Sequence, residues 1–468
     1  MADDDLECVL DLLQSLTVTD TSQAFLVPKL TEICVHEYIF WMTAEHVTAF
    51  LNMVESRSAG IGGARLTDAE FKYRRRICPP IGLDYIDSYV PDSSIAERTR
   101  LLSRKGIRCT IRAISLIRIK ANVSTDSTEY RGPILCNPGG PGGGGIDLII
   151  ARGPLLAQIV GPQFDVVAFD PRGIAHSTPR IEFFESREER ALWYIPAASE
   201  LNHSSIDVAS FWARHKVNGQ LVQERFIDLL PYFTTSHVAQ DMLRIAEAHG
   251  KEKLQYWGFS YGSVLGSTFA AMFPDKVERL IIDGIVDVEN DYYTTDYKGL
   301  PLDLDKALNW FFKDCLDAGP EACPFHDTSI EAMRERLNKL YESVIKAPVA
   351  VRTEVSYGLV DYGNLRGLIL IGLYSPLRWP RLAAGLAGLE AGNGTALWKI
   401  GADVPPFSCS CDSSEFAFEN VLDARQAYVC NDGDVVSSSL EDAQKHYQES
   451  VEISEWNSLF ATFKIECR

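Results

Sequence analysis

Gly258-Phe259-Ser260-Tyr261-Gly262 is the stretch on which the fold turns. The run before it, Leu254 to Phe259, is mostly apolar and reads as a strand. The residues after it, Gly262, Ser263, Gly266, Ala270 and Ala271, have the spacing of a helix built on small side chains. A G-x-S-x-G placed between a strand and a helix permits a sharp turn, because glycines two residues either side of the serine let the backbone bend and expose the hydroxyl. Taken alone, the pentapeptide also fits a serine that caps the next helix. The flanking strand and helix favour an exposed nucleophile, which makes Ser260 the first candidate site residue.

Outward from this point, strands alternate with helices, the pattern of an α/β domain with a mostly parallel sheet. Arg108 to Ile119, Pro133 to Cys136, Phe164 to Phe169, Leu254 to Trp257 and Arg279 to Ile282 read as strands. His237 to His249 and Ser263 to Phe273 read as crossover helices. After Asp287 the alternation stops. Leu304 to Cys315, Ile330 to Ile345, Leu382 to Leu389 and Leu440 to Glu449 have helical spacing, separated by loops of Pro, Gly and Cys. The division expected is an N-terminal segment of unknown role at 1–104, with Leu6 to Leu16 and Leu30 to Met53 reading as helices, an α/β core at 105–290, and a mainly helical, Cys-containing region at 291–468.

A second motif, Asn137-Pro138-Gly139-Gly140-Pro141 running on to Gly145, follows the strand that ends at Cys136. Acyl transfer develops an oxyanion, and preset backbone N–H groups stabilise it without reorganising. The prolines carry no N–H, which leaves Gly139, Gly140 and Gly142 as donors beside the amide of Tyr261. Gly140 is preferred. A phosphate-binding reading of the glycines fails on the absence of G-K-S/T and on the position of Asp165 at the start, not the end, of the next strand.

The third motif, Phe164 to Ser177, is a strand running into a turn at Asp170, Arg172 and Gly173. The two charges are expected to pair and hold the loop against the glycine-rich segment. His176 precedes the serine, whereas the elbow class orders its triad serine, acid, histidine, so His176 is expected at most to line the pocket.

Together with Arg279 to Asp287, these motifs resemble the tripeptidyl aminopeptidase and prolyl aminopeptidase branch of the α/β-hydrolases, from about residue 107 onward, and the cysteine-bearing region resembles the lid of fungal members. The resemblance implies an α/β-hydrolase fold with a large helical lid, Ser260 as nucleophile, the glycine-rich loop on the oxyanion side, and no metal or organic cofactor. It implies cleavage of short peptides, amides or esters through an acyl-enzyme, in a housekeeping role or a fungal secondary-metabolite pathway. An esterase or lactonase would share Ser260 and differ in the lid. A requirement for a free α-amine would call on lid carboxylates such as Glu415 or Glu419.

The family's acid and histidine follow the lid, on two further strand–loop units. After residue 291 no apolar strand is followed by Asp-Pro, and no histidine follows His446. The expectation is therefore a sheet without its C-terminal strands, with an exposed edge, poor solubility or a tendency to partner. The alternative is a catalytically incomplete binding protein of the same fold. Asp287, just beyond the strand after the elbow, is the candidate acid, and Asp283 is expected to be structural. His326 and His446 read as surface residues.

Composition narrows the classes. Of 468 residues, 46% are hydrophobic and 23% charged, ordinary for a soluble globular protein. The 45 Lys and Arg against 64 Asp and Glu give a net charge of −19, which disfavours nucleic acid as a partner. No apolar run is long enough for a membrane span; the nearest, Ile146 to Val160, is broken by Asp147 and Arg152. Cys315 and Cys323 bracket a short loop, and Cys409, Cys411, Cys430 and Cys467 crowd the C-terminal region, as either disulfides or free thiols. Zinc is disfavoured by the one-residue gap between Cys409 and Cys411. Asn122, Asn202 and Asn393 head Asn-x-Ser/Thr triplets compatible with secretion, while the acidic Met1 to Glu7 shows no signal peptide.

Overall fold

The computed structural model describes residues 114–194, 206–401 and 420–467, together with the backbone of four strands nearer the N-terminus, β1 (Glu32–Val35), β2 (Asp68–Lys72), β3 (Ile86–Asp87) and β4 (Arg108–Arg112). Strands β1, β2 and β4 pair in parallel in that order. At Glu32–Val35 the strand β1 corrects the helix expected from Leu30 to Met53, in keeping with the β-branched Ile33 and Val35, and the rest of that stretch lies outside the described residues. Leu6 to Leu16 lies outside the described residues.

The main sheet contains β5 (Leu116–Ile119), β6 (Gly132–Asn137), β7 (Phe164–Phe169), β8 (Leu254–Phe259) and β9 (Val277–Asp283), in the order β3-β5-β7-β6-β8-β9. β6 to β9 are parallel, while on one flank β5 pairs antiparallel with β7 and β3 antiparallel with β5. The mostly parallel sheet read from the sequence is thus present. β7 shows why it was legible. A strand covered on both faces needs apolar side chains at nearly every position, and Val166 to Phe169 are all buried.

Helix α1 (Gly145–Val160) packs Ile146, Ile149 and Leu156 against Ile117, Cys136, Val166 and Ala168, with Trp257 and Phe259 of β8 at the margin of the same cluster. Alternate residues of β8 point the other way. There α3 (Tyr261–Met272) approaches so closely that a Cβ on Gly266 would lie 2.8 Å from the Tyr256 ring and 3.1 Å from Ile282. α2 (Thr235–Ala248), capped by the Thr234 side chain accepting from the His237 amide, precedes β8 and packs beside α3. α4 (Val421–Asp432) belongs to the same unit.

Compactness divides the chain into this α/β unit, Met1–Glu182 with Phe226–Val288 and Ala417–Asp432, and a second unit formed by Phe183–Arg225, Glu289–Phe416 and Gly433–Arg468. Within the second unit, helices Leu304–Ala318, Ile330–Lys346, Tyr362–Leu373 and Trp379–Glu390 enclose a core that includes Phe312, Met333, Leu365, Ile369, Leu382 and Leu386. A hairpin of β10 (Val349–Arg352) and β11 (Tyr357–Val360), too short to show a clear strand period, also belongs to it. Cys315 and Cys323 form a disulfide, and Cys430 and Cys467 are disulfide-bonded as well. Among the described residues Cys136 is the free thiol, pushed up to about 12 by burial.

Candidate active site

Ser260 is the single residue between β8 and α3, and its backbone sits at φ 55° and ψ −121°. A side chain other than glycine's rarely adopts positive φ, and holding it there costs on the order of 1–3 kcal/mol. Neighbouring hydrogen bonds fix the turn. The Ser260 amide donates to the Asp283 carbonyl at 2.8 Å, and the Ser260 carbonyl accepts from the amide and hydroxyl of Ser263 at 2.7 and 2.6 Å. The hydroxyl of Ser263 in turn accepts from the Val286 amide at 3.0 Å. Ser260 itself is exposed.

Steric contacts explain both motif glycines. A Cβ on Gly258 would lie 2.2 Å from the Gly262 carbonyl oxygen and 2.5 Å from the Tyr256 hydroxyl; one on Gly262 would lie 2.9 Å from the Asn137 carbonyl oxygen. The Tyr256 hydroxyl spans the turn by donating to the Gly262 carbonyl at 2.8 Å, and burial raises its pKa well above the usual phenol value, which keeps it a neutral donor.

The glycine-rich loop meets this turn. Gly139 has φ 96°, and a Cβ there would lie 2.3 Å from the Phe259 carbonyl oxygen, 2.8 Å from the Ser260 Cβ and 3.1 Å from the Tyr261 amide nitrogen. The Gly139 amide donates to the Asn137 side-chain oxygen at 2.9 Å, so it is occupied. Gly140 follows at an exposed position, and its amide has no acceptor among the described residues. Tyr261 is the first residue of α3, where an amide points out of the helix end. The buried Asn137 orients the loop, a role that nothing in its sequence context announced.

Asp170 and Arg172 do not pair with each other, contrary to the sequence-based expectation. The buried Asp170 carboxylate accepts from the Ile146 amide at 3.0 Å and the His176 amide at 3.0 Å, and lies 2.8 Å from His176 Nδ1. Arg172 instead makes a two-pronged contact with Asp241 on α2, at 2.8 and 2.7 Å. The reason is geometric: a planar guanidinium matches a carboxylate fork, whereas the fully buried Asp170 lies among backbone N–H donors. Asp170 does tie its loop to the segment that follows the glycines. Asp147, in the first turn of α1, has its carboxyl pKa raised by burial and by the charge of Asp170.

Further supports come from α4 and were not legible beforehand. Asn420, just before it, donates to the carbonyls of Gly173 and Ile181 at 2.8 and 3.0 Å. The Asp432 carboxylate accepts from the Thr235 amide and hydroxyl at 2.9 and 2.6 Å, and Thr235 Oγ1 lies 2.6 Å from the Tyr261 hydroxyl. The links from Asn420 and Asp432 span some two hundred residues, so no local pattern announces them.

The two candidate acids differ in placement. Asp283 contributes its backbone carbonyl to the elbow, while its carboxylate accepts from Trp257 Nε1 at 3.3 Å. Asp287 is exposed beyond β9. Among the described residues no imidazole hydrogen-bonds to the Ser260 hydroxyl. His176 is bound to Asp170, and His237 Nδ1 lies 2.7 Å from Thr234 Oγ1. In the helical unit His326 is half-buried. His446, expected at the surface, is buried there: desolvation together with the Lys464 charge pushes its pKa down to about 4. Glu415 and Glu419 lie outside the described residues. Among those described, no group of three His, Cys, Asp or Glu side chains could hold a metal, and no helix is long and apolar enough to cross a membrane.

The sequence profile of the family described as alpha/beta hydrolase fold matches residues 132–314. The serine protease Hip1 of Mycobacterium tuberculosis is 30% identical over 332 residues, which cover 69% of this chain and 60% of that protein. The tripeptidyl aminopeptidase of Streptomyces coelicolor is 30% identical over 322 residues, covering 66% of this chain and 55% of that one. Carboxylesterase B of Mycobacterium tuberculosis is 30% identical over 282 residues, covering 60% and 51%. The chain thus spans 60% or less of the length of these relatives. A proline iminopeptidase structure from Mycobacterium smegmatis aligns with a TM-score of 0.25 and 15% identity, covering 61% of this chain and 67% of that one.

Proposed function

We propose that this chain of the α/β-hydrolase fold is of the aminopeptidase-like type, a serine hydrolase that cleaves amide or ester bonds of small substrates through an acyl-enzyme on Ser260. The observation that carries the reading is the positive-φ serine, exposed between β8 and α3 with the glycine-rich loop against it. Ser260 Oγ would attack the carbonyl carbon, and the developing oxyanion would lie between the amides of Gly140 and Tyr261. Such donors act best when fixed in advance, and the bond between Gly139 and Asn137 supports that rigidity. Asp287 is the carboxylate proposed to orient the base that takes the serine proton, since a serine hydroxyl is a weak nucleophile without one.

The preferred substrates are short peptides with a free α-amine. Aminoacyl and tripeptidyl arylamides should be hydrolysed by the full chain, with N-acetylated versions turned over poorly. The Ser260→Ala variant should lose at least about a thousandfold of that rate. Unchanged hydrolysis by Ser260→Ala would dismiss the reading, and equal turnover of simple aryl esters with no preference for the free amine would favour an esterase.

A second reading keeps the fold and makes Ser260 part of a binding site. On that reading the fold binds such substrates without turning them over. Reversible binding of an arylamide, measured by calorimetry and with no product released, would favour it.

A further inference from the structure

We propose that Asn393, in the helical unit, is an acceptor for N-linked glycosylation. Asn393-Gly394-Thr395 satisfies the acceptor triplet, in which the middle residue is anything but proline. Triplets alone are common, and the case for this one comes from its conformation. Helix Trp379–Glu390 ends in a turn that continues into the short helix Thr395–Trp398. Glu390, Ala391, Gly392 and Asn393 are all exposed, so the turn projects as a tip with room for a bulky substituent.

The tip is nevertheless fixed. The Asn393 amide donates to the Gly388 carbonyl at 2.8 Å, and the Gly392 amide to the Leu389 carbonyl at 2.9 Å. Behind it Leu397 and Trp398 are buried, with Trp398 Nε1 donating to Ser356 Oγ at 2.9 Å. Gly394 lies against the hairpin so closely that a Cβ would lie 2.9 Å from Val351 Cγ2. Within this frame the Asn393 side-chain oxygen accepts from the Thr395 amide at 3.0 Å. That bond assigns the carboxamide orientation, with Nδ2 as the other end of an exposed side chain, and closes a tight turn between the asparagine and the hydroxyl residue of the triplet. Asn122 is also exposed, but there the Ser124 hydroxyl is engaged with the Asp126 amide, and Asn122 makes no side-chain bond to Ser124. Asn202 lies outside the described residues.

The cysteines of the same unit agree with this chemistry. Cys315 and Cys323 are joined and Cys467 is oxidised, and disulfides of this kind persist where the environment is oxidising, the setting in which oligosaccharide is transferred to asparagine. In the transfer, the bond between the sugar anomeric carbon and the phosphate oxygen of a lipid diphosphate donor breaks, and a carbon–nitrogen bond to Asn393 Nδ2 forms. The amide gives up one proton to a base on the transferase, and the lipid diphosphate leaves. No oxidation or reduction is involved. The proposal stands apart from the hydrolase reading, because it uses no residue of the candidate active site.

The test is to secrete the full chain behind a cleavable signal from a eukaryotic host and map the Asn393 peptide by mass spectrometry after amidase release in heavy-oxygen water. Release should mark Asn393 as formerly occupied in most molecules. Asn393→Gln and Thr395→Ala should each lose one glycan from the intact mass, while Thr395→Ser should retain it. An unoccupied Asn393 in the secreted wild-type chain would overturn the proposal, whatever the state of the Cys315–Cys323 bond. A glycan count unchanged in Asn393→Gln would do so equally. Mapping the wild-type chain keeps the result decisive if a variant is not secreted.

Discussion

The turn at Ser260 and the stretch beyond β9 lie at the ends of neighbouring parallel strands, yet they are built by different means. At the turn, Gly139, Gly258 and Gly262 each sit where an added methyl would collide with backbone, and several hydrogen bonds hold one serine at positive φ. Along β9 and just after it, side chains face solvent. Ile281 is 52% exposed, Ile285 68%, and Asp287 also faces solvent. The first region is specified by shape and tolerates little; the second depends on polar reach and is free to vary.

That contrast can be broken by substitution. Gly258→Ala should cost about 3 kcal/mol, because its Cβ meets a carbonyl oxygen and a phenol that cannot both retreat, and thermal unfolding would show it. A variant as stable as the parent would mean the elbow is not shape-limited. Asp287→Asn should leave stability within about 0.5 kcal/mol while lowering turnover roughly a hundredfold. Loss of stability with turnover intact would reverse the roles assigned to the two regions. Smallest is the effect at the sheet edge. β9 is the end strand among the described residues, and exposed apolar edges associate, so Ile281→Lys should raise the monomer fraction in analytical ultracentrifugation. A parent chain that is monodisperse at all concentrations would remove the reason for that change.

The same contrast explains what the sequence disclosed. β6 to β8 and the elbow were legible because a buried parallel strand needs continuous apolar residues and a sharp turn needs glycine, so physics leaves few alternatives; β9, none of whose residues is buried, was legible only from its short apolar run Leu280 to Ile282. The strand at Glu32–Val35 and the hairpin at 349–360 were missed because four-residue strands leave too little period to read. Asp170 was placed in a turn but given the wrong partner, since a carboxylate accepts from backbone amides as readily as from an arginine and spacing does not say which. Asn137, Asn420 and the Thr235–Asp432 link rest on ordinary polar residues, two of them reaching across the chain, and have no local signature. His446 resembled a surface residue on a charged helix, and only packing put it inside.

The central claim is that Ser260 is a mounted and reactive nucleophile. Fluorophosphonate labelling of the full chain, with the modified peptide sequenced by mass spectrometry, tests it most directly. Stoichiometric modification at Ser260, absent in Ser260→Ala, is the expected result. A folded chain that leaves Ser260 unlabelled under conditions that label a known serine hydrolase would contradict it.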